Sequence, residues 1–144
     1  MTNPGPTFAQ QRLVCLALVF GVGMFAIVIA VLQQQNDGRG LVESPPELLV
    51  VIAPVLGGTM LVAALVLRSI LRRGAESQQG SARAAARFRA TLLPMALLEG
   101  GCLFGLVVWM LSGRAVPGLV TALVLLSAMI ALVPLQDPDA TSNG

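Results

Sequence analysis

The chain has 144 residues, of which 56% are hydrophobic and 11% are charged, and its mean hydropathy is +0.83. In soluble domains about a quarter of the residues are charged, so this composition excludes a conventional water-soluble fold. The high hydrophobicity also excludes a disordered chain. The net charge is +2, and there is no histidine, which removes the commonest proton-transfer group and metal ligand. We therefore expect a membrane protein without a metal or other cofactor.

Four apolar stretches follow one another along the chain, and each is long enough to cross a bilayer core of about 30 Å as a helix. They are Leu13–Leu32, Leu48–Leu67, Ala90–Leu111 and Ala115–Leu135. The first is longer than the apolar region of a signal peptide and no clear cleavage motif follows it, so we expect a retained helix. The predicted fold is an all-α integral membrane four-helix bundle, one domain over residues 1–144.

The connections between the predicted helices differ in kind. Residues 33–47 combine Asn36-Asp37-Gly38 with Ser44-Pro45-Pro46, which is typical of a loop. Three residues join helices 3 and 4, and Gly113 suits a left-handed helix stop, so these two helices should be antiparallel neighbours.

The central segment, residues 68–89, is rich in arginine but also favours helix. The spacing of Arg68 and Arg72 extends helix 2 to Arg73, with a stop at Gly74. Ser81 is the expected N-cap of the alanine-rich start of helix 3.

The arginines predict the orientation in the membrane. Two of the nine arginines, Arg39 and Arg114, lie on the side of the membrane that holds the loop between helices 1 and 2. The others precede helix 1, at Arg12, or occupy the central segment, at Arg68, Arg72, Arg73, Arg83, Arg87 and Arg89. By the positive-inside rule, both termini and the central segment face the cytoplasm of a cell whose inner membrane holds the protein. The central arginines are expected to contact anionic lipid, and nucleic-acid binding is not expected because no aromatic residues alternate with them.

Glu99 is the one charged residue within the four spans. Ten residues separate it from Arg89, which places it about 15 Å deep, near the middle of the membrane. A charged side chain there costs about 2.5–3.5 kcal/mol, so Glu99 is the candidate functional residue.

When residues are counted inward from the polar boundary of each other span, small and hydroxyl residues fall at the same depth as Glu99. We expect Thr59 and Ser127 to hydrogen-bond Glu99 within a tightly packed layer of four helices. The close-packing glycines of this layer are Gly21, Gly23, Gly57, Gly58, Gly100 and Gly101.

Three interpretations of Glu99 are open. It is a neutral hydrogen-bonding residue of the core, or a site that binds a proton or cation in an oligomer, or a contact for a basic residue of a partner protein. No nucleophile–base pair, phosphate-binding loop or metal set accompanies it, so an enzyme is not expected.

The stretch Met95–Val108, with its Leu97-Leu98-Glu99-Gly100-Gly101 centre, resembles the carboxylate-bearing helix of subunit c of rotary ATP synthases. That resemblance implies that Glu99 binds a translocated proton or sodium ion. The preceding helix has Gly57-Gly58 in place of the alternating glycines of a rotor subunit.

Over its whole length the chain resembles small four-helix bacterial inner-membrane proteins. Ala96–Gly100, Leu103-Phe104, Gly113 and Pro134 carry this second resemblance. It implies the topology and draws attention to Glu99, but it implies no activity. The function expected from the sequence is a structural or accessory role, in a homo-oligomer or a larger membrane complex, with ion translocation through Glu99 as the alternative.

Overall fold

The computed structural model describes residues 7–42 and 47–134. These residues form four helices: α1 (Phe8–Gln35), α2 (Glu47–Glu76), α3 (Gly80–Ser112) and α4 (Ala115–Leu132). All four are long and apolar enough to cross a membrane, and the described residues contain no strand. The predicted all-α four-helix class is confirmed. Both the tail after Pro134 and the Ser44-Pro45-Pro46 turn lie outside the described residues.

The helices extend beyond the predicted spans at the arginine-rich end. Helix α2 continues through Gly74 to Glu76, and α3 begins at Gly80 with Gln79 as its N-cap, so the expected stop at Gly74 and cap at Ser81 are wrong. An isolated glycine such as Gly74 lowers helix stability by about 1 kcal/mol. The next residue, Ala75, is buried, and tertiary packing of this kind offsets the cost. The central segment is therefore a helical hairpin rather than a loop.

The other two ends follow the sequence more closely. Gly113 adopts φ +68° after α3, and its N–H donates to the carbonyl of Trp109, which confirms the left-handed stop. Asp37 and Gly38 both have positive φ in a turn closed by a hydrogen bond from Arg39 N to Asn36 O, as in a type I′ turn. Asparagine, aspartate and glycine favour this turn because they tolerate left-handed backbone.

Helices α2, α3 and α4 form a triangle in which each contacts the other two, and α3 has more buried residues than any other helix. Helix α1 lies against α3 and touches α4 slightly, but no Cα atom of α1 comes within 8 Å of one in α2. The buried residues of α1 follow one stripe, formed by Cys15, Val22, Ile29 and Gln33. The bundle is therefore open on the side between α1 and α2.

Two polar contacts hold α1 to α3. Near the start of α1, Gln11 Nε2 donates to Thr91 Oγ1 over 2.7 Å. At its end, Gln33 Nε2 donates to two backbone carbonyls of α3, those of Trp109 and Met110, over 3.1 Å each. These contacts show that α1 and α3 run parallel. Along the helix axis the two contacts are about 30 Å apart, at 1.5 Å per residue. This distance equals the thickness of a bilayer core.

Glycines permit a close approach of the backbones of α3 and α4. A Cβ atom at Gly105 would lie 2.9 Å from the Gly118 carbonyl oxygen and 3.3 Å from the Ala122 nitrogen. A Cβ at Gly118 would lie 2.6 Å from the Gly105 carbonyl oxygen. Small residues at membrane helix contacts allow this kind of backbone approach, and here no larger residue fits.

We predict that Gly105→Ala lowers the free energy of unfolding by about 1–3 kcal/mol, because the added methyl group forces the two backbones apart. Gly100→Ala is the matched control. It lies on the same helix with no neighbouring atom within 4 Å of its Cβ position, so we expect a change between zero and a gain of about 1 kcal/mol from helix propensity. Reversible unfolding in detergent micelles measures both. Equal stabilities for the two variants would contradict the close contact.

Candidate functional site

Glu99 lies at the edge of the buried face of α3. The residues one turn before and after it on this face, Met95 and Cys102, are both fully buried. Of the other residues near it, Leu103 is partly buried, and Ala96 and Gly100 are exposed. Glu99 itself is partly buried, and no hydrogen-bond or ion-pair partner for it exists among the described residues. Glu99 therefore lies where the buried face of α3 meets its exposed face.

The structure does not bring Thr59 and Ser127 to Glu99. The Thr59 hydroxyl donates to Val55 O and the Ser127 hydroxyl to Leu123 O, each over 2.8 Å and each four residues back on its own helix. Both residues are exposed at the surface of the bundle. A hydroxyl in apolar surroundings finds this carbonyl without any tertiary contact, so the expected hydrogen bonds to Glu99 are corrected to bonds within α2 and α4.

The six glycines expected to pack closely divide into two groups. Gly57 lies against Thr121 of α4, and Gly101 lies against Leu125 of α4 and Met60 of α2. The remaining four have no neighbouring heavy atom within 4 Å of a Cβ position: Gly21, Gly23, Gly58 and Gly100. The expected layer of four helices around Glu99 is therefore replaced by close contacts within the α2–α3–α4 triangle.

The exposed residues beside Glu99 form what we call the open face of α3, defined by Leu93, Ala96 and Gly100. It borders the gap between α1 and α2. These side chains are small or apolar, and Gly100 offers bare backbone at the depth of Glu99. A further transmembrane helix could approach α3 closely here, and Glu99 lies at the edge of that approach.

The cysteines and arginines carry other roles. Cys15 and Cys102 are both buried and unpaired, and the Cys102 thiol donates to the Ala122 carbonyl over 3.5 Å. Among the described residues, no group of three His, Cys, Asp or Glu side chains could hold a metal ion. Because Gln11 meets Thr91, Arg12 lies at the same end of the bundle as the α2–α3 hairpin, whose arginines are Arg68, Arg72, Arg73, Arg83, Arg87 and Arg89.

Gln33 is a structural residue that sequence reasoning missed. It is 6% exposed, and both N–H bonds of its amide point to the last turn of α3. Its Oε1 atom is buried without a partner. In the sequence, Gln33 begins the run Gln33-Gln34-Gln35, which is typical of the end of any membrane span. The available signal was its position four residues after Ile29, on the buried stripe of α1.

The same turn of α3 receives donors from the connection between α1 and α2. Leu41 N donates to Met110 O and Val42 N donates to Leu111 O, each over 3.2 Å. Gly40 lies directly against the backbone of Leu111 and Gly113, so no side chain fits there. We call this arrangement of Gln33 and residues 36–42 the outer cap of α3.

No protein-family model, curated protein or solved structure matches this chain.

We predict that Gln33→Leu lowers the free energy of unfolding by about 1–3 kcal/mol, the range for losing buried hydrogen bonds. The Trp109 and Met110 carbonyls retain the N–H donors of Gly113 and Leu41, so the helix end stays capped while α1 loses its outer attachment. Gln34→Leu is the control at an exposed neighbour, with an expected change within about 0.5 kcal/mol. Unfolding in micelles measures both, and an unaffected Gln33→Leu protein would show that the amide does not hold α1.

Proposed function

We propose that this protein is a structural or accessory component of a membrane complex, and that it binds a transmembrane helix of a partner on the open face of α3. The observation that carries this proposal is Glu99: a partly buried carboxyl group in the middle of the longest helix, without a partner in the described chain. An ionisable group at this depth is expensive, and pairing is the usual way in which membrane proteins reduce that cost.

The shape of the bundle supports the same proposal. No Cα atom of α1 comes within 8 Å of one in α2, which leaves one side of α3 without a neighbouring helix among the described residues. Ala96 and Gly100 are small enough for a partner helix to approach the backbone, and Glu99 supplies an acceptor or, when protonated, a donor. A partner with a hydrogen-bonding or basic side chain at mid-membrane depth complements these features.

A basic partner residue would come from a different protein. Every arginine of this chain lies outside the four spans predicted from the sequence. A second copy offers no basic residue at this depth, and its one charged group there is its own Glu99. The charges therefore favour a partner of different sequence. A homo-oligomer is the competing possibility, which the crosslinking experiment below distinguishes.

Ion translocation through Glu99 receives less support. Such a site needs further ligands around the carboxyl group, and the two hydroxyls expected there, Thr59 and Ser127, are bonded to their own helices. The resemblance to ATP synthase subunit c thus rests on the residues of helix 3 alone. Reconstituted liposomes separate the functions, because a proton or sodium flux that Glu99→Gln abolishes would overturn the accessory role.

We predict that a photo-crosslinking amino acid at Ala96 captures a second membrane protein in intact cells. The same amino acid at Val124, which is 52% exposed on α4, is the control and should give lipid adducts only. Combining the Ala96 probe with Glu99→Leu should lower the yield of the captured protein at least about fivefold, the effect of losing roughly 1 kcal/mol of binding.

Two results would contradict this prediction. If Ala96 gave only lipid adducts, the open face would face the bilayer in the cell. If Ala96 gave only the crosslinked homodimer, the partner would be a second copy, and the proposal of a protein with a complementary basic residue would be wrong.

From the arginines we also propose an orientation. The protein lies in the inner membrane, and both termini and the α2–α3 hairpin face the cytoplasm. In support, Arg12 and the hairpin lie at one end of the bundle, and Arg39 and Arg114 lie at the other, where Gly40 meets Gly113. The bias of arginine toward one side of the membrane sets the orientation of most membrane proteins.

Labelling tests the orientation. Both native cysteines are buried, so a cysteine introduced at an exposed position should dominate the reaction with a membrane-impermeant maleimide. We predict that Gln34→Cys is labelled from outside intact spheroplasts and that Gln78→Cys is labelled only after the membrane is opened. The reverse pattern would invert the proposed topology.

A further inference from the structure

Two arginines of α2, Arg68 and Arg72, lie one turn apart on the same face of the helix. Arg68 is partly buried and Arg72 is exposed. The positive charge of Arg72 acts on that of Arg68 and repels it. Neither side chain forms an ion pair with a described acid, and Glu76, the nearest acid along the helix, lies a further turn beyond Arg72. The pair therefore concentrates positive charge without a counter-charge from the described chain.

The pair lies at the boundary of the membrane. Met60 of α2 lies beside Gly101 of α3, so these two residues mark one level of the antiparallel hairpin. From that level Arg68 lies about 12 Å toward the arginine-rich end, at 1.5 Å per residue. Thr91, which holds the inner end of α1, lies about 15 Å in the same direction along α3. Arg68 is thus near the edge of the core and Arg72 about 6 Å further out, within a headgroup layer about 5–7 Å deep.

An apolar strip runs from this pair toward the middle of the membrane. Leu65 lies one turn before Arg68 and two turns before Arg72, on the same face, and it is 50% exposed. Leu61, one turn further in, is partly buried. A lipid whose phosphate lies at the arginines has these leucines beside its acyl chain.

We infer that Arg68 and Arg72 bind the phosphate of an anionic phospholipid whose acyl chain lies along Leu65. Guanidinium groups bind phosphate oxygens through charge-assisted and often bidentate hydrogen bonds. A zwitterionic lipid brings an ammonium group along with its phosphate. An anionic lipid such as phosphatidylglycerol brings a net negative charge, which offsets the repulsion within the pair. The contact expected between the central arginines and anionic lipid is thereby narrowed to one site.

A soluble phosphate ion has the same oxygen chemistry as a lipid phosphate. The headgroup depth of the pair and the exposed leucine beside it favour the lipid. This inference is independent of the proposed partner helix, because the pair lies on α2 at the membrane boundary and the open face lies on α3, nearer the middle of the membrane.

A tryptophan introduced beside the pair provides the test. The full-length Trp109→Phe/Leu65→Trp protein has a single tryptophan, on the face of α2 that carries the two arginines. It is reconstituted in phosphatidylcholine bilayers and titrated with phosphatidylglycerol carrying brominated acyl chains, which quench tryptophan on contact. Brominated phosphatidylcholine is the matched lipid. We expect half-maximal quenching at an about fivefold lower mole fraction of phosphatidylglycerol, which corresponds to about 1 kcal/mol for a basic residue at an anionic surface.

Two double variants, each made in this protein, separate a site from the general attraction of anionic lipid to a basic hairpin. Arg68→Gln/Arg72→Gln removes the pair and should lose the preference for phosphatidylglycerol. Arg73→Gln/Arg83→Gln removes the same charge from exposed positions of the same hairpin, away from the face of Leu65, and should keep the preference. Far-ultraviolet circular dichroism of each variant confirms that the helices are intact before the comparison is made.

Equal half-maximal quenching by the two lipids would overturn the inference, because the face of α2 would then contact bulk bilayer without selection. An equal loss of preference in the two double variants would also overturn it, since the attraction would then come from the whole hairpin. Inorganic phosphate, added at constant ionic strength, distinguishes the two sources of phosphate. We expect the preference to remain, and its loss would show that the pair binds soluble phosphate in place of a lipid.

Discussion

The carbonyl groups at the end of α3 have to find donors near the membrane boundary, and much of the structure depends on how they do so. A helix leaves its last carbonyls without partners, and unsatisfied backbone groups are costly where water is scarce. Here the Gln33 amide and the backbone of Leu41, Val42 and Gly113 supply the donors. Because those donors belong to α1, to the connection after it and to the turn before α4, one set of hydrogen bonds positions three segments at once.

The attachment of α1 follows from the same solvent argument. In lipid, burying a leucine against another helix gains little, because hydrocarbon is as apolar as the side chain, so association depends on packing and on polar contacts. Along α1 a single stripe packs against α3, and hydrogen bonds at Gln11 and Gln33 fix its two ends. A helix fixed through one stripe leaves most of its surface to lipid and needs no contact with α2. This explains why the bundle is a closed triangle with a fourth helix at its edge.

The sequence predicted the number, class and order of the helices. For the small residues it predicted the depth in the membrane better than the face of the helix that turns inward. Counting residues inward from a charged boundary measures height along a helix, but each successive residue also turns by about 100°. Gly57 and Gly58 lie at nearly the same depth, yet the first packs against α4 and the second is open. Gly101 and Gly100 differ in the same way. The layer around Glu99 failed as a prediction for this reason: which face of each helix turns inward is decided by the packing of all four.

That distinction between depth and direction also bears on Glu99. Had the carboxyl group pointed into the α2–α3–α4 triangle, close packing at Gly101 and Gly105 would have left no room for it, and its hydrogen bonds would have had to come from within. At the edge of the open face it meets no such limit, and no hydroxyl of the described chain reaches it. A chain with so few charges has little to gain in stability from an unpaired carboxyl group at mid-membrane depth. The proposed partner resolves this conflict, because it would supply the contact that the open side of the bundle lacks.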